Sequence, residues 1–434
     1  MRKNLVVGIL RESRVVERRA PLTPKDVGWL INREVDVEVE SSNIRIFKDS
    51  EYVKNGAKVL DRFKKANLLL GIKAPQAMDL HPGSIYMIFS HTIKGQVDNM
   101  PLLRSYMDKK VTLIDYEKIV DSHGVRLVYF GRFAGICGLI DSLYYFGKKL
   151  EWEGLRNPFS KLKPVSKYPS LKAVKSAMEQ VDYEIEHRGF ENELSPFIIG
   201  ITGHGNVSKG VQEILDILHP VEIHPRNILR FVEHQKKMHH KINKIVFLRE
   251  EKFRSRDGKG YYFEEYLNDP DKFESNMDVY LPHLNILIHT SYWDSKYPRL
   301  VTKRMINSLA KKSPFRIGFI GDISCDINGA IELTYKTTNL DSPTFTYDFQ
   351  KSKFVDGYKS KGITIMAIDN LPSELPRDAS IEFSSLIRDY VYQIAAHGVK
   401  DITNHIAIPR EIRDAVITQQ GRFTGNFRYL KRFI

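Results

Sequence analysis

Cysteine is nearly absent from this chain, which has only Cys137 and Cys325 among its 434 residues. The two residues are far apart in sequence, and each lies in an apolar neighbourhood. This excludes the disulfide framework by which small secreted domains compensate for a small hydrophobic core. The pattern is typical of a protein from a reducing cytosol, and we expect both thiols to be buried and unreactive.

Long apolar runs are absent too, and none approaches the roughly 18–20 residues that a helix needs to cross a bilayer. Met1-Arg2-Lys3-Asn4 leads into a short apolar run from Leu5 to Leu10, with no small-residue cleavage site behind it. We therefore expect neither a signal peptide nor membrane binding, and we predict a cytoplasmic protein. The mitochondrial matrix is the alternative location if a targeting segment precedes this sequence.

The overall composition, with 42% hydrophobic and 27% charged residues, is that of an ordinary globular protein. It excludes a disordered tail and a collagen-like fibre. At about 100–200 residues per domain, the length predicts two domains, each large enough to bury its own core.

The charge is unbalanced, because 66 Lys and Arg against 53 Asp and Glu give a net charge of +13. A nucleic-acid-binding protein is one interpretation of such an excess. However, basic residues are spread from Arg2 to Arg432, with no basic tail and no RNA-binding or zinc-finger signature. We favour a lysine-rich solvated surface together with an anionic substrate, and we expect no nucleic-acid partner.

The first 130 residues alternate between short apolar runs and helical patterns. Thr23-Pro24 is typical of a capped helix start and predicts a helix over 25–32, and further helices are predicted at Ser50–Phe63 and Met100–Lys109. Such alternation predicts a mostly parallel sheet with helices on both faces. The predicted strands are Asn4–Leu10, Val35–Glu40, Asn67–Ile72, Ser84–Ser90 and Val111–Tyr116.

A second strand–helix series begins at Pro196. Before it, the apolar stretch Gly131–Lys149 predicts a buried helix, and 151–195 indicates a connecting region with a helix near Ser170–Glu179. We interpret the segment from Arg226 to Tyr280 as a polar, irregular insertion. The second series comprises strands at Phe197–Thr202, Val221–Ile223, Asn285–Thr290, Ile317–Ile320 and Thr364–Ala367 and a helix at Lys209–Leu218.

The most informative local pattern is the turn after the strand Phe197–Thr202. Gly203 suits a tight turn, Gly205 lets the backbone approach a pyrophosphate, and the following helix offers free N–H groups. Ser208 stands where the usual fingerprint has a third small residue. In this strand–turn–helix context we predict a dinucleotide site, with a purely structural turn as the alternative. The site comprises Gly203, His204, Gly205, Asn206, Val207 and Ser208.

In that fingerprint an acidic residue ends the next strand and binds the ribose hydroxyls. Here the next predicted strand is followed by His224, with Arg226 two residues later. An Arg at this place favours a cofactor that carries a 2′-phosphate, so we predict NADPH. Glu222 leaves NAD open as the alternative.

Polar residues follow several predicted strands in the first half of the chain, at the edge where open α/β sheets place their sites. Lys73 follows one apolar strand, His91 and Lys94 follow the next, and Arg19 lies in a polar patch after the first strand. A desolvated lysine has a lowered pKa and can act as an acid/base near neutrality, as can a histidine. Taken singly, each residue is better explained without a function: Lys73 as a snorkelling surface residue, His91 as a structural histidine and Arg19 as a solvated charge. Their recurrence at successive strand ends favours the functional interpretation.

Two later loops follow predicted strands and carry polar residues. Asp322 and Asp326 precede a glycine turn, where acids could polarise a catalytic group or hold a nicotinamide ribose, and a plain loop is the alternative. Asp369-Asn370-Leu371-Pro372 resembles another strand-end loop. A basic segment has three histidines but no Cys or carboxylate at ligand spacing, so we predict no metal site. The three histidines are His234, His239 and His240.

Together, these motifs resemble those of the alanine dehydrogenase/transhydrogenase superfamily. More closely, the chain is similar to the lysine–2-oxoglutarate reductase domain of bifunctional aminoadipic semialdehyde synthases and to the fungal lysine-forming saccharopine dehydrogenases. The resemblance covers nearly the whole chain, and 151–195 and 226–280 match least. The motifs match in order: Glu17-Arg18-Arg19-Ala20-Pro21-Leu22-Thr23-Pro24, Phe89-Ser90-His91-Thr92-Ile93-Lys94, Leu113-Ile114-Asp115-Tyr116-Glu117-Lys118, Thr202 to Gly210, Tyr292-Trp293, Pro298-Arg299-Leu300, Asp322-Ile323-Ser324-Cys325-Asp326 and Asp369-Asn370-Leu371-Pro372.

The resemblance implies an α/β fold with two Rossmann-like domains, mostly parallel sheets and an active-site cleft between them. It implies a substrate domain from 1–135 and about 375–434, a connecting helix and linker over 136–195, and a dinucleotide-binding domain over 196–374. The implied reaction belongs to lysine degradation. The lysine ε-amine adds to the keto carbon of 2-oxoglutarate, water leaves, and NADPH reduces the imine to saccharopine.

The resemblance also implies roles for individual residues. A dicarboxylate substrate needs fixed cations, and reduction of an imine needs a group that titrates near the working pH. The implied roles are acid/base catalysis for Lys73 and His91, carboxylate binding for Arg19 and Lys94, tuning of the lysine for Glu117, a site cation at Arg126, a nicotinamide-side acid at Asp326, and a nicotinamide loop at Asn370 and Leu371.

The sequence departs from the family pattern at Ala74, where alanine dehydrogenases and the fungal enzymes have an acid after the catalytic lysine. This puts a direct transfer of their charge network in doubt. Because the sequence ends at Ile434, we expect a stand-alone reductase, or one that works with a separate saccharopine-oxidising partner enzyme. A homo-oligomer is compatible with the resemblance.

Two alternatives to this activity remain at the level of sequence. One is an alanine dehydrogenase-like enzyme that uses ammonia. The other is a non-catalytic binding protein that has kept the fold and uses its basic surface. The joint presence of Lys73, His91 and Arg19 argues against the second.

Overall fold

The computed structural model describes residues 5–234, 238–312, 315–398 and 401–434. The chain forms two compact units, one of Met1–Phe130 with Pro376–Ile434 and one of Gly131–Leu375. Met1-Arg2-Lys3-Asn4 fall outside the described residues. These four residues include the start of the first predicted strand and the segment from which we expect no signal peptide. Each unit contains one eight-stranded, mostly parallel sheet, which confirms the predicted α/β class.

Strands and helices alternate along most of the described chain. The strands are β1 (Val7–Ile9), β2 (Val37–Glu40), β3 (Lys58–Leu60), β4 (Leu68–Lys73), β5 (Ile85–Phe89), β6 (Thr112–Asp115), β7 (Phe197–Thr202), β8 (Val221–Glu222), β9 (Ile242–Phe247), β10 (Phe253–Ser255), β11 (Phe273–Ser275), β12 (Ile286–His289), β13 (Phe319–Asp322), β14 (Thr344–Asp348), β15 (Lys353–Asp356), β16 (Ile363–Met366), β17 (Val416–Gln419) and β18 (Arg422–Phe423). The helices are α1 (Pro24–Ile31), α2 (Asp49–Lys54), α3 (Met100–Asp108), α4 (Gly131–Trp152), α5 (Leu171–Arg188), α6 (Asn206–Leu215), α7 (Ile228–His234), α8 (Arg249–Lys252), α9 (Phe263–Asn268), α10 (Lys303–Leu309), α11 (Pro376–His397) and α12 (Arg410–Asp414).

The sheet of the first unit has the strand order β3-β2-β1-β4-β5-β6-β17-β18. Strands β1 to β6 are parallel, whereas β17 is antiparallel to β6 and β18 to β17. The returning C-terminal segment therefore completes a sheet that the N-terminal segment begins. The core contains apolar residues of the strands together with Phe383, Ile387 and Val391 of α11.

Helix α1 shows how the sequence determines the entry into a site-bearing segment. Thr23 has extended backbone, and its hydroxyl accepts a hydrogen bond from the Asp26 N–H at 3.1 Å. Pro24 occupies the first turn, where its missing N–H costs nothing. The helix predicted after Thr23-Pro24 is therefore confirmed.

The sheet of the second unit has the order β15-β14-β16-β13-β12-β7-β9-β8. Six neighbouring strands of this sheet are parallel, namely β8, β9, β7, β12, β13 and β16. The other two, β14 and β15, form an antiparallel edge. A separate two-stranded ribbon joins β10 and β11. The carboxyl ends of the parallel strands therefore lie at one edge, which carries the glycine-rich turn.

The long helix α4 belongs to the second unit because it packs closely on α6. A Cβ on Gly210 would lie 2.0 Å from the carbonyl oxygen of Arg132, and a Cβ on Gly135 would lie 2.0 Å from that of Val207. Only glycine permits this approach at both positions. The segment 136–195, which is predicted as a connecting helix and linker, thus belongs to the second unit.

Two predictions of local structure are wrong. The predicted helix Ser50–Phe63 ends at Lys54 and gives way to β3, where Lys58–Leu60 pairs with β2. The segment predicted as an irregular insertion contains β9, which lies in the sheet next to β7. None of the described helices has both the length and the hydrophobicity of a transmembrane span.

Candidate active site

Strands β1, β4, β5 and β6 are parallel and end at the same edge of the first sheet. Lys73 is the last residue of β4, and His91 lies two residues beyond the end of β5. The two strands are neighbours, with Lys73 in register with Phe89. The structure thus places the two predicted acid/base residues at adjacent strand ends.

Glu12, which follows β1, holds the end of β4. Its carboxylate accepts hydrogen bonds from the backbone N–H groups of Ile72 at 2.6 Å and Lys73 at 3.1 Å. Burial raises the pKa of Glu12 to about 7, because the charged carboxylate loses water. Glu12 and Lys73 line one cavity of about 480 Å³, together with Arg11 and Arg62. A charged, substrate-sized space therefore lies next to Lys73.

His91, Glu117 and Arg126 form one cluster. The Nδ1 atom of His91 lies 3.8 Å from Oε1 of Glu117, and Nη2 of Arg126 donates to Oε2 of Glu117 at 3.2 Å. The side chain of Glu117 is 15% exposed, whereas those of His91 and Arg126 are about half exposed. A carboxylate beside an imidazole can orient the ring and stabilise its charged form during proton transfer.

Asp115, the last residue of β6, holds the loops that carry His91 and Glu117. Its carboxylate accepts hydrogen bonds from the Ser90 N–H at 3.1 Å, from the Ser90 hydroxyl, and from the Glu117 N–H at 2.8 Å. The side chain is fully buried, and burial raises the pKa of Asp115 to about 6. Asp115 therefore fixes the backbone of the two loops that carry His91 and Glu117.

Arg19 is buried and already paired. Its Nε and Nη2 donate to the two carboxylate oxygens of Glu17 at 2.7 and 2.6 Å, and its guanidinium lies over the Phe130 ring, 4.1 Å from the centroid. Both side chains of the ion pair are at most 3% exposed. If Arg19 binds a substrate carboxylate, as the resemblance implies, that contact must add to the pairing with Glu17.

Lys94 lies in the exposed loop after β5. The C-terminal segment holds this loop, because the Tyr429 hydroxyl donates to the Ile93 carbonyl at 2.6 Å. Gly95 has φ 67°, and a Cβ there would lie 2.5 Å from the Phe433 ring, so this turn requires glycine. The C-terminal segment thus fixes the loop that carries His91 and Lys94.

The glycine-rich turn of the second unit follows β7 as predicted. Gly203 has φ 88°, and a Cβ there would lie 2.7 Å from the Ser291 hydroxyl. An added Cβ on Gly205 would meet no heavy atom within 4 Å, so the space in front of the turn is open. Gly205 is the N-cap of α6 and offers no side chain to its first N–H groups. These features fit a pyrophosphate at the helix N-terminus.

The structure corrects the position of the strand next to this turn. β9 pairs with β7 along its whole length, whereas β8 lies at the edge and pairs only with β9. His224 and Arg226 follow β8, one strand further from the turn than predicted, because β9, predicted as part of an irregular insertion, lies between β7 and β8. The place of the ribose-binding acid falls instead after Phe247, where Leu248 and Arg249 follow.

The two later loops also lie at the carboxyl edge of the second sheet. Asp322, at the end of β13, is buried and accepts hydrogen bonds from the Ser324 hydroxyl at 2.8 Å and the Thr334 hydroxyl at 2.6 Å. Burial raises the pKa of Asp322 to about 6. It holds the turn that carries Cys325 and Asp326. Cys325 is half-buried, so the prediction of two buried thiols is wrong for this residue.

Asn370 and Leu371 begin the short turn after β16. Asn370 has left-handed backbone with φ 73°, a conformation that asparagine tolerates. The side chain of Leu371 is buried and packs next to Gly138 of α4. Leu371 can therefore contact a cofactor only through its backbone. No group of His, Cys, Asp and Glu among the described residues has the geometry of a metal site.

Sequence reasoning missed two features of these edges. Glu12 follows the first apolar strand by two residues, which is the same strand-end position that drew attention to Lys73 and His91. Arg249 and Lys252 follow β9, whose sequence from Ile242 to Phe247 contains enough β-branched and aromatic residues to indicate a strand. The polar residues on both sides of this strand favoured the prediction of an irregular insertion.

Two family models match the chain. One is described as "Alanine dehydrogenase/PNT, N-terminal domain" and matches residues 8–137. The other is described as "Alanine dehydrogenase/PNT, C-terminal domain" and matches residues 259–426.

Several curated proteins are similar to the chain. It is 32% identical to an alpha-aminoadipic semialdehyde synthase of Arabidopsis thaliana over 99% of the chain and 41% of that protein. It is also 32% identical to the mitochondrial protein of that name from Bos taurus, over 96% of the chain and 46% of that protein. The chain thus spans less than half the length of these relatives. A saccharopine dehydrogenase [NAD(+), L-lysine-forming] of Emericella nidulans is 26% identical over 88% of the chain and 90% of that protein.

Two solved structures share the fold. An L-alanine dehydrogenase superposes with a TM-score of 0.62 at 16% identity, covering 99% of both chains. A transhydrogenase from Sinorhizobium meliloti superposes with a TM-score of 0.57 at 14% identity, covering 96% of this chain and 98% of that one.

Proposed function

Because the chain belongs to the alanine dehydrogenase/transhydrogenase superfamily, we propose that it is a CH–NH oxidoreductase that condenses L-lysine with 2-oxoglutarate and reduces the imine with NADPH to saccharopine. The observation that carries the proposal is the grouping of Lys73, His91 and Glu117 on three neighbouring strand ends. The similarity to aminoadipic semialdehyde synthases supports the choice of lysine as the amine.

Lys73 and His91 handle the protons of the condensation. One of them, as general base, takes a proton from the lysine ε-ammonium so that the amine attacks the keto carbon. The other, as general acid, protonates the carbinolamine hydroxyl so that it leaves as water. Glu117 orients His91 and stabilises its charged form. A bound reduced nicotinamide nucleotide would supply the hydride that reduces the imine carbon.

The cations around this edge suit substrates with several carboxylates. Arg126 presents a half-exposed guanidinium beside the cluster, and Lys94 lies in the exposed loop after β5. Arg19, fixed by its ion pair with Glu17, is the third cation of this set. We assign these three residues to substrate carboxylates.

The turn from Gly203 to Ser208 would hold the nucleotide, because the open space at Gly205 and the uncapped α6 N-terminus suit a pyrophosphate. Asp326, Asn370 and Leu371 lie at the same edge of the sheet and are assigned to the nicotinamide end. NADPH is the proposed cofactor, with NAD as the alternative.

We further propose that a saccharopine-oxidising partner enzyme consumes the product. A homo-oligomer remains compatible with this assignment. We propose the cytoplasm as the location, with the mitochondrial matrix as the alternative, since relatives named as mitochondrial exist.

Coupled assays on the full chain test the proposed reaction. We expect NADPH oxidation that requires both lysine and 2-oxoglutarate, with saccharopine identified by mass spectrometry. Turnover of NADH with pyruvate and ammonia alone would show an alanine dehydrogenase-type enzyme instead. Absence of turnover with tight, steeply salt-dependent RNA binding would show a non-catalytic protein.

A further inference from the structure

A cavity of about 340 Å³ lies in the second unit beside the glycine-rich turn. Gly203 and Gly205 form one wall, and the loops after β9 and β12 form two others. Its volume falls within the range of small-molecule sites. Its remaining walls combine aromatic rings with two basic side chains: Tyr266, Trp293, Tyr297, Arg249 and Lys252.

The topology places this cavity where an adenosine would lie. The N–H of Gly203 donates to the carbonyl of Phe247 at 2.8 Å, so the residues after β9 stand directly beside the turn. In doubly wound folds the residue that reads the adenosine ribose follows the strand next to the glycine turn. Here that strand ends at Phe247, and Leu248 carries no group that could accept hydrogen bonds from two ribose hydroxyls.

Two acids follow Leu248 in α8, Glu250 and Glu251, and neither lines the cavity. Oε2 of Glu251 accepts a hydrogen bond from the Leu248 N–H at 2.8 Å, which closes the first turn of α8. Glu251 is also buried, with 8% of its surface exposed. It is therefore poorly placed for the ribose hydroxyls that an acid binds in NAD-dependent enzymes.

The ion pairs of the described residues leave out the two cations of the cavity, although the charges of Glu250 and Glu251 act on Lys252. Among the ion pairs of the described residues, none includes Arg249 or Lys252, whereas Arg254 nearby pairs with Glu274 and Asp278. Lys252 is 6% exposed, and its ammonium donates to the Ser291 hydroxyl at 2.8 Å. Burial lowers the pKa of Lys252 to about 8, and a bound anion would favour its charged form. Arg249 lies over the rings of Phe263 and Tyr266.

We infer that Arg249 and Lys252 bind the 2′-phosphate of the adenosine ribose and thereby select NADPH over NADH. The inference rests on the nucleotide site of the proposed function and replaces His224 and Arg226 as the residues that read the phosphate. The guanidinium and the ammonium supply charge-assisted hydrogen bonds to the phosphate oxygens. The aromatic side chains of the cavity would hold the adenine.

Binding of nucleotide fragments tests this inference without any substrate. Isothermal titration calorimetry of the full chain would compare 2′,5′-ADP with 5′-AMP, which differ only in the 2′-phosphate. We expect the parent protein to bind 2′,5′-ADP about 10-fold more tightly or better, as one or more charge-assisted hydrogen bonds allow. Arg249→Ala and Lys252→Met should each lower that ratio about 10-fold while leaving 5′-AMP binding nearly unchanged.

Arg226→Ala is the matched control, since it removes one Arg from the strand end that sequence alone indicated. It should leave the ratio as in the parent protein. Circular dichroism and thermal unfolding establish that the Lys252→Met protein is folded, and Arg249, which is exposed, gives a second variant in the same site.

Equal binding of the two fragments by the parent protein, or loss of the preference in Arg226→Ala and not in Arg249→Ala, would overturn the inference. Failure of the proposed reaction gives a different result, namely intact preference for 2′,5′-ADP without lysine-dependent turnover. A preference for 2′,5′-ADP that depends on Arg249 supports the inference whichever amine and keto acid the enzyme uses.

Discussion

Glu12 follows β1, and its carboxylate accepts a hydrogen bond from the backbone N–H of Lys73 at the end of the neighbouring strand β4. The family pattern has an acid directly after the catalytic lysine, and this chain has Ala74. Glu12 instead brings a carboxylate from an adjacent strand to the backbone N–H groups of Ile72 and Lys73. At the scale of single residues, buried acids therefore hold the backbone that carries the site residues.

Lys73→Met removes the proposed proton-transfer group and keeps the length of the side chain. We expect turnover to fall by a factor of at least about 100, the usual contribution of a positioned acid/base. Binding of 2′,5′-ADP should be unchanged, because the nucleotide site is built from residues of the other unit. Steady-state kinetics and calorimetry check both, and near-normal turnover would remove Lys73 from the mechanism.

Arg19→Ala leaves the buried carboxylate of Glu17 without its bidentate partner. We expect the free energy of unfolding to fall by about 3–5 kcal/mol, the cost of breaking a buried ion pair. The double variant Glu17→Gln/Arg19→Met should recover much of this loss. Urea denaturation measures both. If Arg19→Ala is as stable as the parent protein and only the Michaelis constant for 2-oxoglutarate rises, the ion pair contributes little to the fold.

Glu12→Gln should flatten part of the pH dependence of stability. Burial raises the pKa of Glu12 from 4.5 to about 7, so between these values the folded chain holds a proton that the unfolded chain has lost. The contribution of Glu12 to stability is therefore highest below about pH 4.5 and falls as the pH rises towards 7. Urea unfolding at pH 5 and pH 7.5 should show a smaller decrease for the variant. Equal decreases would contradict the role of Glu12.

At the scale of elements, the packing of α4 on α6 fixes the helix that follows the glycine-rich turn. The two helices approach until only glycine fits at Gly135 and Gly210. Ser208 is buried in the same helix and accepts a hydrogen bond from the Gln212 side chain at 3.1 Å. The close contact expected from the third fingerprint position is thus made mainly at Gly210.

Gly210→Ala and Gly205→Ala separate packing from binding. The first places a Cβ against the Arg132 carbonyl, and we expect a loss of about 1–3 kcal/mol of stability from overpacking. The second meets no neighbour and has φ −75°, so the fold should keep its stability while nucleotide fragments bind more weakly. Thermal unfolding and calorimetry distinguish the two. Weak binding with reduced stability in Gly205→Ala would contradict the open space at the turn.

At the scale of the whole molecule, the two units differ in how the chain builds them. Gly131–Leu375 is continuous and contains a complete eight-stranded sheet, whereas the other unit is assembled from both ends of the chain. In that unit the Leu5 N–H donates to the Ala395 carbonyl at 3.0 Å, and β17 pairs with β6.

Residues 131–375 expressed alone should therefore fold and bind 2′,5′-ADP, whereas residues 1–130 alone should not give a cooperative unfolding transition. Because 1–130 lacks α11 and β17, it exposes the core that these elements cover. Circular dichroism with urea denaturation measures both fragments. A fragment 1–130 that unfolds cooperatively would show that the C-terminal segment adds little.

The sequence by itself determined the fold class, the capped start of α1, the glycine-rich turn and the strand ends that carry Lys73 and His91. These features are local, because periodicity, capping and turn chemistry act over a few residues. Only the tertiary structure decided that β9 lies between β7 and β8, that Glu12 supports the end of β4 and that Arg19 is buried against Glu17. The physical reason is that pairing between distant segments depends on the free energy of the whole sheet, which no short stretch of sequence encodes.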